Sequence, residues 1–142
     1  MANCYQYILD SYNDVVVKVK DELRFVDSYR FLLQTKHDNT LRIEQNLSPK
    51  DLEAKIPSLS LQLLVENAAK HNTSTIENPV IIKLSSNEKN IIVSNNKTEK
   101  PKNINSTELG LENIKQRYKL LSSDKIEIQD TNFFTVVLPK LK

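Results

Sequence analysis

The sequence is poor in the residues on which several common kinds of site depend. It holds a single glycine, Gly110, so neither the P-loop pattern G-x-x-x-x-G-K-[ST] nor the dinucleotide fingerprint G-x-G-x-x-G is possible. Its single cysteine, Cys4, excludes a disulfide framework or a thiolate metal site within one chain and fits a reducing, cytoplasmic setting. No apolar run approaches the roughly 20 residues needed to cross a bilayer, and the first residues lack a signal-peptide layout.

Charge and composition narrow the class further. The net charge of +2 is small and the lysines are dispersed, which argues against an electrostatic footprint for nucleic acid. A hydrophobic fraction of 39% and a charged fraction of 27% are those of a globular protein. With 142 residues, we expect one folded domain with appendages.

The first third of the chain is predicted to be a helical connector followed by a strand. Over residues 19–33, apolar side chains recur at steps of three and four, which predicts an amphipathic helix: Val19, Leu23, Val26, Tyr29 and Leu33. A shorter helix is predicted over residues 5–12. Residues 40–47 alternate as a half-buried strand does. We therefore expect a helical connector over residues 1–36 and a single folded domain over residues 37–142.

The remaining two thirds predict helices and paired strands. Ser48-Pro49 is interpreted as a polar turn, and Pro57 is expected to begin the central helix, because its fixed φ suits a first helical turn. Hairpins are predicted from residues 79–85 with 90–94 and from 125–129 with 133–138. A second amphipathic helix follows the polar stretch 95–107 and ends near Leu121. Paired hairpins predict an α+β fold, a two-layer sandwich with a mixed, mostly antiparallel sheet and helices on one face.

The central helix divides into an apolar and a polar face. Its polar face carries Glu66, Asn67, Lys70 and His71. An amide oxygen beside phosphate oxygens is a common environment for Mg²⁺, so Asn67 is a candidate metal ligand, with Glu66 beside it. The alternative is a plain solvated helix face. Against that alternative, asparagine is a poor residue for the middle of a helix.

Two segments carry a resemblance to a known family. The segment IPSLSLQLLVENAAKHN resembles the N-box of the GHKL ATPases, and in particular the LytS-like branch of bacterial sensor histidine kinases. The matching positions are Pro57, Leu59, Leu61, Gln62, Leu64, Val65, Glu66, Asn67, Ala68, Lys70 and His71. The segment ELGLENIKQRYKLL is similar to the G2-box helix of that branch at Gly110, Leu111, Asn113, Ile114 and Arg117.

The resemblance implies a Bergerat fold that binds ATP and Mg²⁺. Asn67 would then coordinate the metal and Glu66 would assist phosphoryl transfer as the catalytic residue. The remaining positions implied to contact the nucleotide are Lys70, His71 and Asn72 on the phosphate side, Asn95 at the adenine, and Gly110 with Leu111 at the head of the last helix. Backbone N–H groups at a helix start bind anions, which suits Gly110.

The chain departs from the family pattern at both glycine boxes. Asn95 stands where the aspartate that accepts from the adenine amino group is expected, and Glu108 replaces the first glycine of the second box. Replacing a charged hydrogen bond by a neutral one costs about 1 kcal/mol, so we expect weaker nucleotide binding. The polar stretch carries Lys97, Lys100 and Lys102, which either close over the phosphates as a lid or belong to a solvated loop.

The acceptor motif of this branch, N-P-H-F-L-F-N, does not occur in the sequence, whose histidines are His37 and His71. The resemblance therefore implies an ATP-binding catalytic fragment that does not phosphorylate itself. Its implied partners are a second kinase subunit, as a homodimer, and a response regulator, in a parent anchored in the bacterial inner membrane. The alternatives are a degenerate, non-catalytic module that docks a response regulator, and another GHKL activity such as an anti-sigma serine kinase.

Overall fold

The computed structural model describes residues 16–37, 40–72, 75–98 and 108–141, with the side chains of 32–37 and 108–110 left aside. The elements in these residues are β1 (Val16–Lys18), α1 (Val19–His37), β2 (Leu41–Gln45), α2 (Pro49–Leu52), β3 (Lys55–Pro57), α3 (Ser60–His71), β4 (Val80–Ser86), β5 (Asn90–Asn96), α4 (Glu108–Leu121), β6 (Glu127–Asp130) and β7 (Phe133–Pro139). The predicted helix at 5–12, Lys100 and Lys102 lie outside the described residues. None of the described helices is long and apolar enough to cross a membrane.

Five strands form one sheet in the order β2-β4-β5-β7-β6. The β2–β4 pair is parallel and the other pairs are antiparallel. Along β4 the side chains of Val80, Ile82 and Leu84 are buried and those between them are more exposed, because successive residues of a strand point to opposite faces. The predicted mixed, mostly antiparallel sheet is confirmed.

The helices pack on the buried face of this sheet. Apolar residues of α1, α3 and α4 join those of the strands in one core: Val19, Val26, Leu41, Ile56, Leu61, Leu64, Val65, Ala68, Val80, Ile82, Leu84, Ile91, Val93, Ile114, Tyr118, Val136 and Leu138. Helix α1, assigned from the sequence to the connector, thus shares its core with the sheet. The two-layer α+β arrangement is the predicted one.

A second, two-stranded sheet was not predicted and corrects the start of the central helix. Strand β1 pairs antiparallel with β3, Val17 opposite Ile56. Pro57 is the buried last residue of β3 rather than the first residue of a helix. Helix α3 begins three residues later, at Ser60. Pairing between strands of three residues depends on partners far apart in the chain, which local periodicity does not report.

The polar turn expected at Ser48-Pro49 is a short helix, α2, opened by a capping box. Ser48 Oγ accepts from the backbone N–H of Asp51, and the Asp51 carboxylate accepts from the Ser48 N–H. Asp51 is buried and also accepts from Ser86 Oγ at 2.5 Å and from Lys140 Nζ at 2.9 Å. These hydrogen bonds, first from Ser86 and then from Lys140, hold the pKa of Asp51 well below its usual range. Asp51 thereby joins α2, β4 and the C-terminal segment.

Candidate functional site

Helix α3 presents two faces, as its sequence predicts. Leu61, Leu64, Val65 and Ala68 are buried against the sheet and the neighbouring helices. The opposite face carries the four polar residues predicted from the sequence. Of these, Glu66, Asn67 and His71 are half-buried and Lys70 is exposed. A half-buried acid and amide on one helical turn, beside basic residues on the next, form a surface with the chemistry to bind a phosphate and its metal.

The acid and the amide of this face retain unused hydrogen-bonding capacity. Gln62 Nε2 donates to Glu66 Oε1 at 3.2 Å, which orients the carboxylate along the helix. Within the described residues, Glu66 Oε2 and the Asn67 side chain take part in no hydrogen bond. No group of three Asp, Glu, His or Cys side chains in that part of the chain is placed to hold a metal ion. A metal ion at Asn67 would therefore draw its remaining ligands from phosphate and water, as Mg²⁺ ordinarily does.

Asn72, predicted to line the phosphate side, connects two segments of the backbone. Its Nδ2 donates to the carbonyl of Ala68 at 2.9 Å, and its Oδ1 accepts from the backbone N–H of Thr98 at 2.9 Å. Thr98 follows β5 by two residues. The side chain of Asn72 thus joins the C-terminal end of α3 to the polar stretch that leaves the sheet.

Two adjacent asparagines end β5 and differ in their roles. Asn95 lies on the core side, 5% exposed, and its Nδ2 donates to the Asn96 carbonyl at 2.8 Å. Asn96 Oδ1 accepts from the Ile81 N–H at 2.7 Å and its Nδ2 donates to the Pro79 carbonyl at 2.9 Å. At the end of the β4–β5 pair, the Asn96 side chain therefore makes the hydrogen bonds to the neighbouring strand that a backbone peptide group makes elsewhere in the sheet. The Asn95 amide oxygen accepts no hydrogen bond from the described residues.

Lys97, the first lysine of the predicted lid, forms an ion pair with Asp130 of β6. Both side chains are largely exposed, so the pair contributes little to stability. It does give Lys97 a partner at the sheet. In this arrangement the lysine is turned toward β6, and its proposed phosphate contact would require breaking an exposed ion pair.

Helix α4 borders the same region. Glu108 and Gly110 lie in its first turn, and Leu111 is half-buried against the core. Further along, Ile114 is buried and Tyr118, also buried, donates its hydroxyl to the Pro139 carbonyl at 2.9 Å. Burial raises the pKa of Tyr118. The middle and the C-terminal part of α4 are thus packed into the core through these two side chains.

A buried carboxylate at the start of α3 was not predicted as a functional residue. Glu22 of α1 is 1% exposed, and its Oε1 accepts from the Leu61 N–H at 3.1 Å. Burial raises the pKa of Glu22 to about 7, although the backbone N–H groups of Leu59, Leu61 and Ser60 and the charge of Arg117 oppose the rise. Among the described buried side-chain atoms, Glu22 Oε2 alone has no hydrogen-bond partner.

Arg117 of α4 contacts the backbone just before the start of α3. Its guanidinium donates to the Ser58 carbonyl through Nη1 and to Ser58 Oγ through Nη2, the latter at 2.9 Å. Ser58 is fully buried and directly precedes Leu59, whose φ of 67° lies in the left-handed region. A non-glycine residue in that region is strained. Arg117 matches the G2-box pattern, and its contact gives that match a structural role.

Helical spacing could have revealed Glu22. It follows Val19 by three residues and precedes Val26 by four, so it lies on the apolar stripe of α1 rather than between stripes. A charged residue on an apolar stripe is almost never fully buried unless paired. Its partner, a helix start 39 residues away in sequence, has no local signal.

Solved structures share this fold. The chain resembles the cytoplasmic segment of histidine kinase QseC, with a TM-score of 0.56 and 22% identity over 94% of this chain and 82% of that one. It resembles the catalytic domain of histidine kinase ThkA with a TM-score of 0.54 and 14% identity, covering 89% and 95% of the two chains. The Acinetobacter baumannii histidine kinase AdeS matches with a TM-score of 0.56 and 13% identity, over 99% and 76%. The chain therefore has the fold of histidine kinase catalytic domains.

Sequence comparison adds one relative. The uncharacterized protein YwpD of Bacillus subtilis (strain 168) is 32% identical over 125 residues, an alignment covering 79% of this chain and 45% of that protein. The chain thus spans less than half the length of this relative. No model of a known protein family matches the sequence.

Proposed function

We propose that this chain is the ATP-binding catalytic domain of a LytS-like sensor histidine kinase in a two-component system. It would transfer the γ-phosphoryl group of ATP to a histidine on a segment upstream of this sequence. The observation that supports this most is the Asn72 side chain, which holds Thr98 at 2.9 Å. It brings the end of the helix bearing Glu66 and Asn67 to the end of β5, the two segments that the resemblance assigns to the nucleotide.

The polar face of α3 fits Mg²⁺ and phosphates. The Asn67 amide oxygen would bind the metal, and Lys70 with His71 would face the phosphates from the next turn. A bound Mg²⁺ neutralises charge on the phosphate oxygens during transfer. Glu66, already oriented by Gln62, keeps an oxygen that can accept a hydrogen bond from the attacking imidazole and so orient its reactive nitrogen. The bond from the γ-phosphorus to the β-γ bridging oxygen breaks as the nitrogen–phosphorus bond forms, and ADP leaves.

The adenine side of the proposed site is weaker. Asn95 offers a neutral amide oxygen to the adenine amino group, where the family pattern has a charged carboxylate. The loss amounts to about 1 kcal/mol, or several-fold in affinity. Gly110 and Leu111 at the head of α4 would border the phosphates, and α4's backbone N–H groups would favour negative charge there.

The wider assignments belong to the same proposal. Residues 37–142 would form the ATP-binding domain and residues 1–36 the connector from the dimerisation region. The partners would be a second kinase subunit, as a homodimer, and a response regulator that receives the phosphoryl group on an aspartate. The domain would lie in the cytoplasm, with the parent anchored in the inner membrane.

One alternative has support of its own: a degenerate domain that docks a response regulator without turnover. In its favour, Lys97 is paired with Asp130. Glu108 also adds a negative charge where a glycine is expected. These features reduce the number of groups ready to bind a nucleotide.

Calorimetric titration separates the two functions. ATP is titrated into the wild-type chain, into Asn67→Ala and into Asn46→Ala, each with and without Mg²⁺. Asn46 is an exposed asparagine just after β2, which makes it a matched control. We expect Asn67→Ala to weaken Mg²⁺-dependent binding by about tenfold or more, through loss of a metal ligand, and Asn46→Ala to leave it unchanged. Absence of heat from the wild type at millimolar ATP would favour the docking module.

A further inference from the structure

The start of α3 is capped by a different helix. Its N-cap residue, Leu59, makes no side-chain hydrogen bond to the first turn. The first backbone N–H groups of a helix have no partners within it and favour an anion. The acceptor at the start of α3 is the carboxyl group of Glu22 of α1, whose Oε1 accepts from the Leu61 N–H at 3.1 Å. The capping interaction therefore fixes α3 to α1.

This junction is built from groups that are unfavourable for stability alone. Glu22 is 1% exposed and one of its oxygens lacks a partner among the described residues, and Leu59 is held at a φ of 67°. Buried unpaired oxygens and left-handed non-glycine residues are costly, and they persist where the surrounding structure requires a particular geometry. The geometry in question is the entry of the chain into α3.

The junction also holds the helix on the other side of the proposed site. Arg117 of α4 donates to both the carbonyl and the hydroxyl of Ser58, the residue just before Leu59. The positive charge of Arg117 also acts to lower the pKa of Glu22. One cluster, formed by the buried Glu22 and Ser58 and the half-buried Leu59 and Arg117, thus connects α1, α3 and α4. We call it the junction cluster.

We propose that Glu22 is a positioning residue for the nucleotide site on α3. Glu66 and Asn67 follow Leu61 by five and six residues, less than two helical turns, so a shift of the helix start is carried to them along a continuous hydrogen-bonded helix. Glu22 sets the position of that start, and through it the placement of the Asn67 amide and the Glu66 carboxylate. This inference rests on the proposed function of the α3 surface.

The test compares Glu22→Ala and Glu22→Gln with Val26→Ala. Val26 is buried on α1 one turn from Glu22, so its truncation destabilises the same helix without removing the hydrogen bond to the Leu61 N–H. The affinity for Mg²⁺·ATP is measured where all four proteins are folded. We expect Glu22→Ala to weaken it about tenfold, as loss of an orienting residue does, and Val26→Ala to leave it unchanged. Glu22→Gln, which keeps an oxygen for the Leu61 N–H, is expected to restore most of the affinity.

A second measurement works without nucleotide. Amide hydrogen exchange is followed along α3 in the same variants. Glu22→Ala is expected to accelerate exchange from Leu61 to Asn67 relative to the rest of the core, whereas Val26→Ala accelerates it evenly. The positioning role would be overturned if the two alanine variants lost affinity equally. It would also be overturned if amide exchange accelerated evenly across the core in both variants. If the wild type binds no ATP, the proposed function fails, and the exchange pattern still decides whether Glu22 positions α3.

Discussion

The raised pKa of Glu22 predicts an unusual dependence of stability on pH. The pKa is about 7 in the fold against an ordinary value of 4.5, because burial disfavours the ionised form. The folded state therefore binds the Glu22 proton more tightly than the unfolded state does. The contribution to stability is fully present below pH 4.5 and is lost as the pH rises through about 7. The difference between the folded and the ordinary pKa corresponds to about 3 kcal/mol in the free energy of unfolding.

The assay compares wild type with Glu22→Gln by urea unfolding at intervals from pH 5 to pH 8.5. Glutamine does not titrate, so the difference between the two proteins isolates the carboxyl group of Glu22. We expect the free energy of unfolding of the wild type to fall relative to Glu22→Gln by roughly 2 to 3 kcal/mol over this range. Asp51, whose pKa is lowered, acts in the opposite direction and only at acid pH. It is present in both proteins and cancels.

The result that refutes this reasoning is a difference that stays constant within about 0.5 kcal/mol from pH 5 to pH 8.5. It would mean that Arg117 and the helix start stabilise the carboxylate as much as burial destabilises it. Arg117 is the charged group from the neighbouring helices that acts on Glu22. An Arg117→Met variant in the same assay should steepen the pH dependence, because it removes the opposing charge.

Two further predictions concern the Asp51 network and self-phosphorylation. Asp51→Asn should lower the free energy of unfolding at pH 7 by about 2 kcal/mol, because the charged hydrogen bonds to Ser86 and Lys140 weaken in a buried setting. Urea unfolding measures this, with the exposed Asp124→Asn as control; equal effects of the two changes would contradict it. The isolated chain incubated with Mg²⁺ and radiolabelled ATP should acquire no acid-labile phosphohistidine, and label at His37 or His71 would show that the chain carries its own acceptor.

Much of the fold could be predicted because it depends on local periodicity. The apolar steps of α1, α3 and α4 and the alternation in β4 and β5 follow from which side chains face one core. The unpredicted parts depend on distant partners. Strand β3 exists because β1 lies beside it, and Pro57 ends that strand because its ring suits a residue that needs no further pairing N–H. The residues around Pro57 do not indicate that β1, far away in the sequence, pairs with this segment.

The candidate site was predictable only in part for the same reason. The shared face of Glu66 and Asn67 follows from helical spacing. The hydrogen bond from Thr98 to Asn72 spans 26 residues of sequence, and the ion pair of Lys97 with Asp130 spans a predicted lid and a helix. Glu22 lies on the apolar stripe of α1, but the contact that makes it important is with the start of α3, 39 residues away in the sequence.

The scarcity of glycine becomes intelligible at the end of β5. A glycine is required where the backbone must adopt positive φ, and among the described residues that region is occupied by Leu59 alone. The backbone of Asn95 and Asn96 therefore lies where any residue can lie. An asparagine side chain both donates and accepts, as a peptide group does, and Asn96 uses both functions to pair with Ile81 and Pro79. Side-chain amides thus fix the backbone where it leaves the sheet after β5. The Asn72 side chain does the same two residues further on, where its Oδ1 accepts from the Thr98 N–H. In the proposed site this arrangement would preorganise the rim, which would lower the ordering cost of binding and partly offset the weaker adenine contact proposed for Asn95.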